Sequence, residues 1–123
     1  MKLIDDAHGT DQELKEGVED MIRFVVPRLL GNGHLGGLRG ITPVLVHGGL
    51  WAGNRLRGTS AAWSGWEEVV VDPSCAYAHS EYELSIMRMF GGFSAGFFNE
   101  YHRLVPKTEP KHEYEDRVKL YQL

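Results

Sequence analysis

Residues Val44 to Asn54 read Val-Leu-Val-His-Gly-Gly-Leu-Trp-Ala-Gly-Asn, a short apolar run that breaks into a loop with glycine at positions 48, 49 and 53. Pro43 and the three β-forming residues after it predict a short strand, Val44 to Val46, leading straight into that loop. Arg55 to Gly65 is polar and carries Gly58 and Gly65, which suits a turn or a long hairpin connection. Trp66-Glu-Glu-Val-Val-Val71 reads as the return strand and ends at Asp72-Pro73. Two short strands flanking a loop, the second ending in Asp, form a geometry that brings a loop Asn and a strand-end Asp together on one cation.

The flanking segments are helical. Thr10-Asp-Gln-Glu13 has capping-box spacing, and Leu14, Val18, Met21, Ile22, Val25 and Val26 recur at intervals of three and four. This predicts a helix over Asp11 to Val26 whose apolar face packs into the core. Pro27 to Leu30 is either a kinked extension or the first turn of a second short helix. Gly31 to Gly40 holds five glycines in ten residues and predicts a flexible surface loop. Its Gly31-Asn-Gly-His-Leu-Gly36 formally satisfies G-x-G-x-x-G. A phosphate loop needs a strand before it and a helix start after it, and neither is present, so a plain linker is expected. Ser80-Glu-Tyr-Glu83 repeats the capping-box spacing, with Leu84, Met87 and Phe90 along one face until Gly91-Gly92. Ser94 can cap a further helix carrying Phe97, Phe98, Tyr101, Leu104 and Val105, which Pro106 stops. A last helix starts near Glu113, with Val118, Tyr121 and Leu120 as its candidate inward positions. It reaches Leu123 without a C-cap, as expected if the parent sequence continues. The fold class is therefore α+β, mainly α, with a short β-hairpin.

Composition narrows the function. A chain of 123 residues with 42% hydrophobic content supports one compact domain. The net charge of −4, with 13 basic residues scattered among 17 acidic ones, argues against nucleic acid as a partner. No stretch approaches the ~18 consecutive apolar residues of a membrane span, and Met-Lys-Leu-Ile-Asp-Asp at the start has no signal-peptide core. A single cysteine, Cys75, excludes an internal disulfide framework, and a cytoplasmic location is expected. Cys75 with His79 is only a C-x-x-x-H fragment, the six histidines include no H-E-x-x-H, and there is no G-x-S-x-G or Walker sequence.

His47 and Asn54 fit the H-R-D-x-x-x-x-N spacing of a kinase catalytic loop, in which the Asp accepts the substrate hydroxyl proton and the Asn holds magnesium. The carboxylate position is Gly49. Asn54 and Asp72 carry the hard oxygen donors that magnesium prefers. His47 is expected to support the loop backbone through a hydrogen bond. Trp51 is expected to pack beneath the loop in preference to stacking on a substrate.

His47-Gly-Gly-Leu-Trp-Ala-Gly-Asn54 resembles the H-G-D-L-W-x-G-N motif of the fructosamine-3-kinase family, also called ketosamine or protein-ribulosamine 3-kinases. Asp72-Pro73 resembles the family's strand-end D-P, Tyr77-Ala-His-Ser-Glu-Tyr-Glu-Leu84 its Y-x-H-x-E-x-E-L, and Met89-Phe-Gly-Gly-Phe93 its L/M-F-G-G-F. Phe98, Tyr101, Pro106, Arg117 and Leu120 to Leu123 continue the likeness, which covers roughly Val18 to Leu123. The resemblance implies a partial, protein-kinase-like (aminoglycoside-phosphotransferase-like) C-terminal lobe over residues 1–123, without the nucleotide-binding N-lobe. It implies ATP and Mg²⁺ as cofactors, with phosphorylation of the sugar 3-hydroxyl of ketoamine-modified lysines. Glycated proteins or small ketosamines would be the partners. Carried over by position, Asn54 and Asp72 would hold magnesium and Gly49 would occupy the catalytic aspartate's place. With that carboxylate and the nucleotide lobe missing, the chain is expected to be inactive as it stands. A non-catalytic ketoamine- or protein-binding module and a degenerate truncated product are the alternatives.

Overall fold

The computed structural model describes residues 11–62 and 64–123. Its elements run α1 (Gln12–Asp20), α2 (Val26–Leu30), β1 (Val44–Val46), β2 (Arg55–Gly58), β3 (Glu67–Val70), β4 (Ala76–Ala78), α3 (Ser80–Phe90), α4 (Ala95–Leu104) and α5 (Tyr114–Tyr121). The architecture is α+β and mainly helical, as expected, with two separate antiparallel strand pairs.

The pairing corrects the strand assignment. β1 does not meet the return strand. It pairs with β4, Leu45 opposite Tyr77, while the return strand β3 pairs with β2, Leu56 opposite Val69. Arg55–Gly58, expected as connection, is thus itself a strand. Its polar side chains suit a two-stranded ribbon with a solvated face, where Arg55, Leu56 and Arg57 are all exposed. The hairpin that forms therefore starts directly after Asn54 and ends two residues before Asp72.

α1 and α2 form one near-continuous helix interrupted by a π-helical turn over Met21–Val25. Proline has no N–H to give and its ring crowds the carbonyl four residues back. The wider turn, in which the Val26 N–H reaches the Met21 carbonyl, lets Pro27 enter the helix. Asp11 caps the start, its carboxylate accepting from the Leu14 N–H at 2.9 Å; Thr10 of the expected capping box lies outside the described residues.

The predicted core face of this helix is not buried. Leu14 is 49% exposed and Ile22 63%, and Leu29, beyond the predicted end, is the only buried residue of the two helices. Periodicity reports which face could pack, not whether another element arrives. Here contact with the body runs through α2 against α5.

Gly31 to Gly40 is anchored, not a free linker. Leu35 is buried, the Gly36 N–H donates to the Glu109 carbonyl at 2.7 Å, and His34 Nε2 donates to Glu113 Oε2 at 2.6 Å. Its glycine motif follows a helix and leads into a single 3₁₀ turn, Gly37–Arg39.

The core lies between α3 and α5, where Leu84, Met87, Tyr114 and Val118 are buried against one another and Leu50, Phe93, Phe98 and Tyr101 close over them. Phe90, expected on that face, is exposed. α3 starts at Ser80 with His79 as its cap residue and no side-chain cap, so the second capping box does not form. Ser94 does cap α4, its hydroxyl accepting from the Phe97 N–H at 3.1 Å.

Two ionised side chains are threaded through this core. Arg117 is fully buried and donates through Nε to Glu81 Oε2 at 2.6 Å and through Nη2 to Oε1 at 3.1 Å. Its other donors reach the Pro110 and Thr108 carbonyls at 2.9 and 2.8 Å, and the Thr108 N–H donates to Glu81 Oε1 at 2.9 Å. Every strong donor and acceptor here is met, which is the condition for an ion pair to be tolerated in a core. His79 sits beside the pair between the Tyr121 and Thr108 hydroxyls, at 2.9 and 2.8 Å. Burial pushes its pKa down and that of Tyr121 up to about 12.

Candidate active site

The loop from His47 to Asn54 is held from both ends and from beneath. At its start the His47 carbonyl accepts from the Ser74 and Cys75 N–H groups at 2.9 and 3.0 Å, continuing the β1–β4 pairing. The His47 ring donates through Nε2 to the Val71 carbonyl at 2.9 Å. Among the described residues the buried Nδ1 of the same ring has no hydrogen-bond partner. At the end of the loop, Ala52–Asn54 makes a 3₁₀ turn closed by the Asn54 N–H on the Trp51 carbonyl at 3.0 Å. The Val71 N–H then donates to the Asn54 carbonyl at 2.9 Å, extending the β2–β3 pairing by one rung.

Val71 thus ties His47 through its carbonyl and Asn54 through its N–H, which leaves Asp72 as the next residue out from both. Asp72 adopts a left-handed backbone, φ 57°. That conformation is uncommon for a residue with a side chain, although Asp tolerates it better than most. Among the described residues Asp72 makes no ion pair or side-chain hydrogen bond. The Asn54 side chain donates through Nδ2 to the Gly49 carbonyl at 2.8 Å, and among the described residues its Oδ1 has no partner. Amide and carboxylate oxygens are donor types that a small hard cation takes. Among the described residues no cluster of three or more His, Cys, Asp or Glu side chains is placed to hold a metal ion.

Gly49 lies next to the Asn54 side chain, which bonds its carbonyl. A Cβ there would meet only Asn54 Nδ2, at 3.8 Å, an ordinary contact, and its φ is not in the left-handed region. The backbone therefore admits a side chain that the sequence does not supply. Gly48 is different, with φ 80°. Trp51 is 41% exposed, its ring centroid 6.0 Å from that of Phe90, and its indole covers Gly53 so closely that any Cβ there would collide with it. The ring packs against Gly53 and Phe90 at the loop surface and stays partly exposed, where the sequence predicts packing beneath the loop.

The loop also rests on the corner between α3 and α4. The Ala52 N–H donates to the Gly91 carbonyl at 3.4 Å, and a Cβ on Gly92, φ 96°, would run into the Ala52 side chain. Only glycine meets both demands at position 92.

Glu83, which the sequence marks only as a capping-box and motif position, contacts the loop. Glu83 of α3 accepts the Gly48 N–H on Oε2 at 2.8 Å and the Leu50 N–H on Oε1 at 3.0 Å. A signal for it exists. Glu81 and Glu83 are two apart on a helix, hence on roughly opposite faces, and a helix packed on one side cannot turn both to water.

A strand, a glycine-spaced loop ending in Asn and a hairpin returning to an Asp, carried on a helical base, define a kinase-like α+β protein. The sequence model of the fructosamine kinase family matches residues 1–123, and the chain belongs to that family. It is 46% identical over 83 residues to a ketosamine-3-kinase of Mus musculus, covering 68% of this chain and 24% of the relative. A probable ketoamine kinase of Synechocystis is 40% identical over 98 residues, covering 80% of this chain and 28% of the relative. The chloroplastic protein-ribulosamine 3-kinase of Arabidopsis thaliana is 39% identical over 83 residues, covering 68% and 23%. The chain thus spans about a quarter of the length of these relatives. Among the described residues no helix is long and apolar enough to cross a membrane.

Proposed function

We propose that this chain carries the magnesium-holding half of a ketoamine kinase site without the proton acceptor, so that it can bind a divalent cation but does not phosphorylate. Asn54 and Asp72 are the oxygen ligands. The metal, when bound with ATP, supplies charge neutralisation on the phosphates. His47 and Val71 hold the two ligand-bearing segments together, and position 49 faces the place where an acceptor hydroxyl of a ketoamine sugar would lose its proton. Glycine there cannot take the proton, and loss of a general base typically costs ~10²- to 10⁴-fold. In the same reading residues 1–123 correspond to part of a C-terminal lobe, and the nucleotide-covering lobe lies outside this stretch.

The observation that carries the reading is the room at Gly49. The loop keeps a shape in which a Cβ meets nothing closer than 3.8 Å, beside an Asn54 already committed to the Gly49 carbonyl. A loop that had lost its purpose altogether would not need to keep that arrangement.

The test is Mn²⁺ titration of the isotopically labelled chain, followed by incubation with Mg²⁺, ATP and a small fructosamine. Paramagnetic broadening confined to Asn54, Asp72 and their neighbours, with no phosphorylated sugar in the ³¹P spectrum, is the expected result. Phosphorylated product would overturn the inactivity, and unbroadened Asn54 and Asp72 signals would overturn the metal assignment.

A further inference from the structure

Arg88, Asn99 and Lys107 come from three different elements and open on one cavity. It holds about 340 Å³ between the end of α3, the first turns of α4 and the start of α5, with Ala95, Phe98 and Tyr114 in its wall. That volume lies at the lower end of the roughly 300–1,000 Å³ of small-molecule sites. None of its lining residues belongs to the His47–Asn54 loop, nor is Asp72 among them.

The charges on the wall do not cancel. Arg88 donates through Nη1 to Glu115 Oε2 at 2.8 Å. Lys107 has no such partner among the described residues, and its ammonium lies 4.2 Å from the centre of the Tyr114 ring. A ring face attracts a cation through its quadrupole and takes none of the three N–H donors. Asn99 makes no side-chain hydrogen bond among the described residues either. Tyr114 is fixed as the floor, buried and with its hydroxyl 3.1 Å from His102 Nε2. Burial pushes its pKa up, so the floor adds no negative charge. Two cations therefore face one carboxylate.

We propose that this cavity binds a small phosphate monoester. A carboxylate has two oxygens in one plane, which a single guanidinium fork satisfies. Arg88, Asn99 and Lys107 instead enter from α3, from α4 and from the connection after it, which suits the three terminal oxygens of a tetrahedral group. Lys107 supplies the compact point charge, and Ala95 marks the first turn of α4, the positive end of a ten-residue helix. Phe98 and Ala95 give the apolar side on which the carbon body of the ester rests. Glu115 opposes the anion. It is exposed, and exposed pairs of this kind hold weakly, so it can turn to water and release Arg88. The site uses no metal ligand and stands apart from the function proposed above.

The experiment titrates the 123-residue chain, ¹⁵N-labelled and free of ATP and divalent cations, with phenyl phosphate, inorganic phosphate and benzoate at constant ionic strength. Phenyl phosphate should give saturable shifts at Ala95, Asn99 and Lys107 while the Gly48 to Asn54 signals stay in place. Benzoate, the same ring on a carboxylate, should bind about tenfold more weakly or worse, and inorganic phosphate, without the ring, should also be weaker. Lys107→Met keeps the stem and removes the charge, and should raise the phenyl phosphate midpoint about tenfold. Lys111→Met, which removes an exposed lysine beside Glu109, should leave it within about twofold. Shifts that fail to saturate, or that centre on Gly48 to Asn54, overturn the proposal, as does a Lys107→Met midpoint within about twofold of the unsubstituted chain. Benzoate as tight as phenyl phosphate overturns the phosphate assignment, and inorganic phosphate as tight overturns the ester. Should Lys107→Met fail to fold, Arg88→Gln takes its place with the same expectation. Should neither fold, the order of the three ligands on the unsubstituted chain decides.

Discussion

Glu81 and Glu83 are two residues apart on one helix, both are buried, and they serve two different halves of the molecule. Glu81 faces Arg117 and closes a fully satisfied ion pair between α3, α5 and the Thr108–Pro110 connection. Glu83 faces the other way and closes on two backbone amides of the His47–Asn54 loop. One carboxylate ties helices to each other, and the other ties the helical base to the site. The difference lies in the partner. A guanidinium competes for its carboxylate with charge, whereas backbone amides offer only direction, so the second arrangement constrains shape where the first constrains association.

The largest effect expected is on the helix side. Arg117→Ala leaves Glu81 buried without its counter-ion, which typically costs about 3–5 kcal/mol. Urea unfolding should show a chain at or beyond the edge of folding, and a midpoint close to that of the unsubstituted chain would break the comparison. Gly92→Ala attacks the other side. It forces a side chain onto Ala52 at a left-handed position and should cost about 1–3 kcal/mol, with chemical-shift changes concentrated at Ala52 and Asn54.

Acid titration separates both halves from a third contact. The Arg28 guanidinium, and after it His34, hold the Glu113 carboxyl down at about 2, against an ordinary value of 4.5. A carboxyl lowered on folding contributes stability that is complete above about pH 4.5 and is lost as pH falls through about 2. Unfolding midpoints should therefore fall over that window, and Glu113→Gln should flatten the fall. Ser94→Ala removes the α4 cap and should cost about 1 kcal/mol, visible as a small drop in the thermal midpoint. Leu14→Ser on α1 should sit at the bottom of the scale, within about 0.5 kcal/mol, because the side chain is half exposed. A large loss there would mean that α1 is covered in solution.

The order of the segments could be read in advance: a short strand, a glycine-spaced loop ending at Asn54, and a later strand ending just before Asp72. In the structure the Val71 N–H bonds the Asn54 carbonyl, and Asp72 is the next residue along the chain. The strand partners could not be read. Val44–Val46 and Glu67–Val70 both carry β-forming valines, and nothing local says that one pairs with Ala76–Ala78 and the other with Arg55–Gly58. The contact of Glu83 with the loop could not be read, because a glutamate in the first turn of a helix is ordinary until the other face of that helix is known to be covered.

The sequence by itself determined the helices over 80–90, 95–104 and 114–121, the Ser94 cap, the glycine corner at 91–92, and a loop without a carboxylate at position 49. These depend on neighbours within a few residues, where side-chain spacing and backbone freedom act directly. Only the tertiary structure decided that Leu29 and Leu35 are buried while Leu14 and Ile22 are not, that Arg117 lies in the core, and that Glu83 grips the loop. Burial and pairing depend on which distant surface arrives, and periodicity carries no information about the partner.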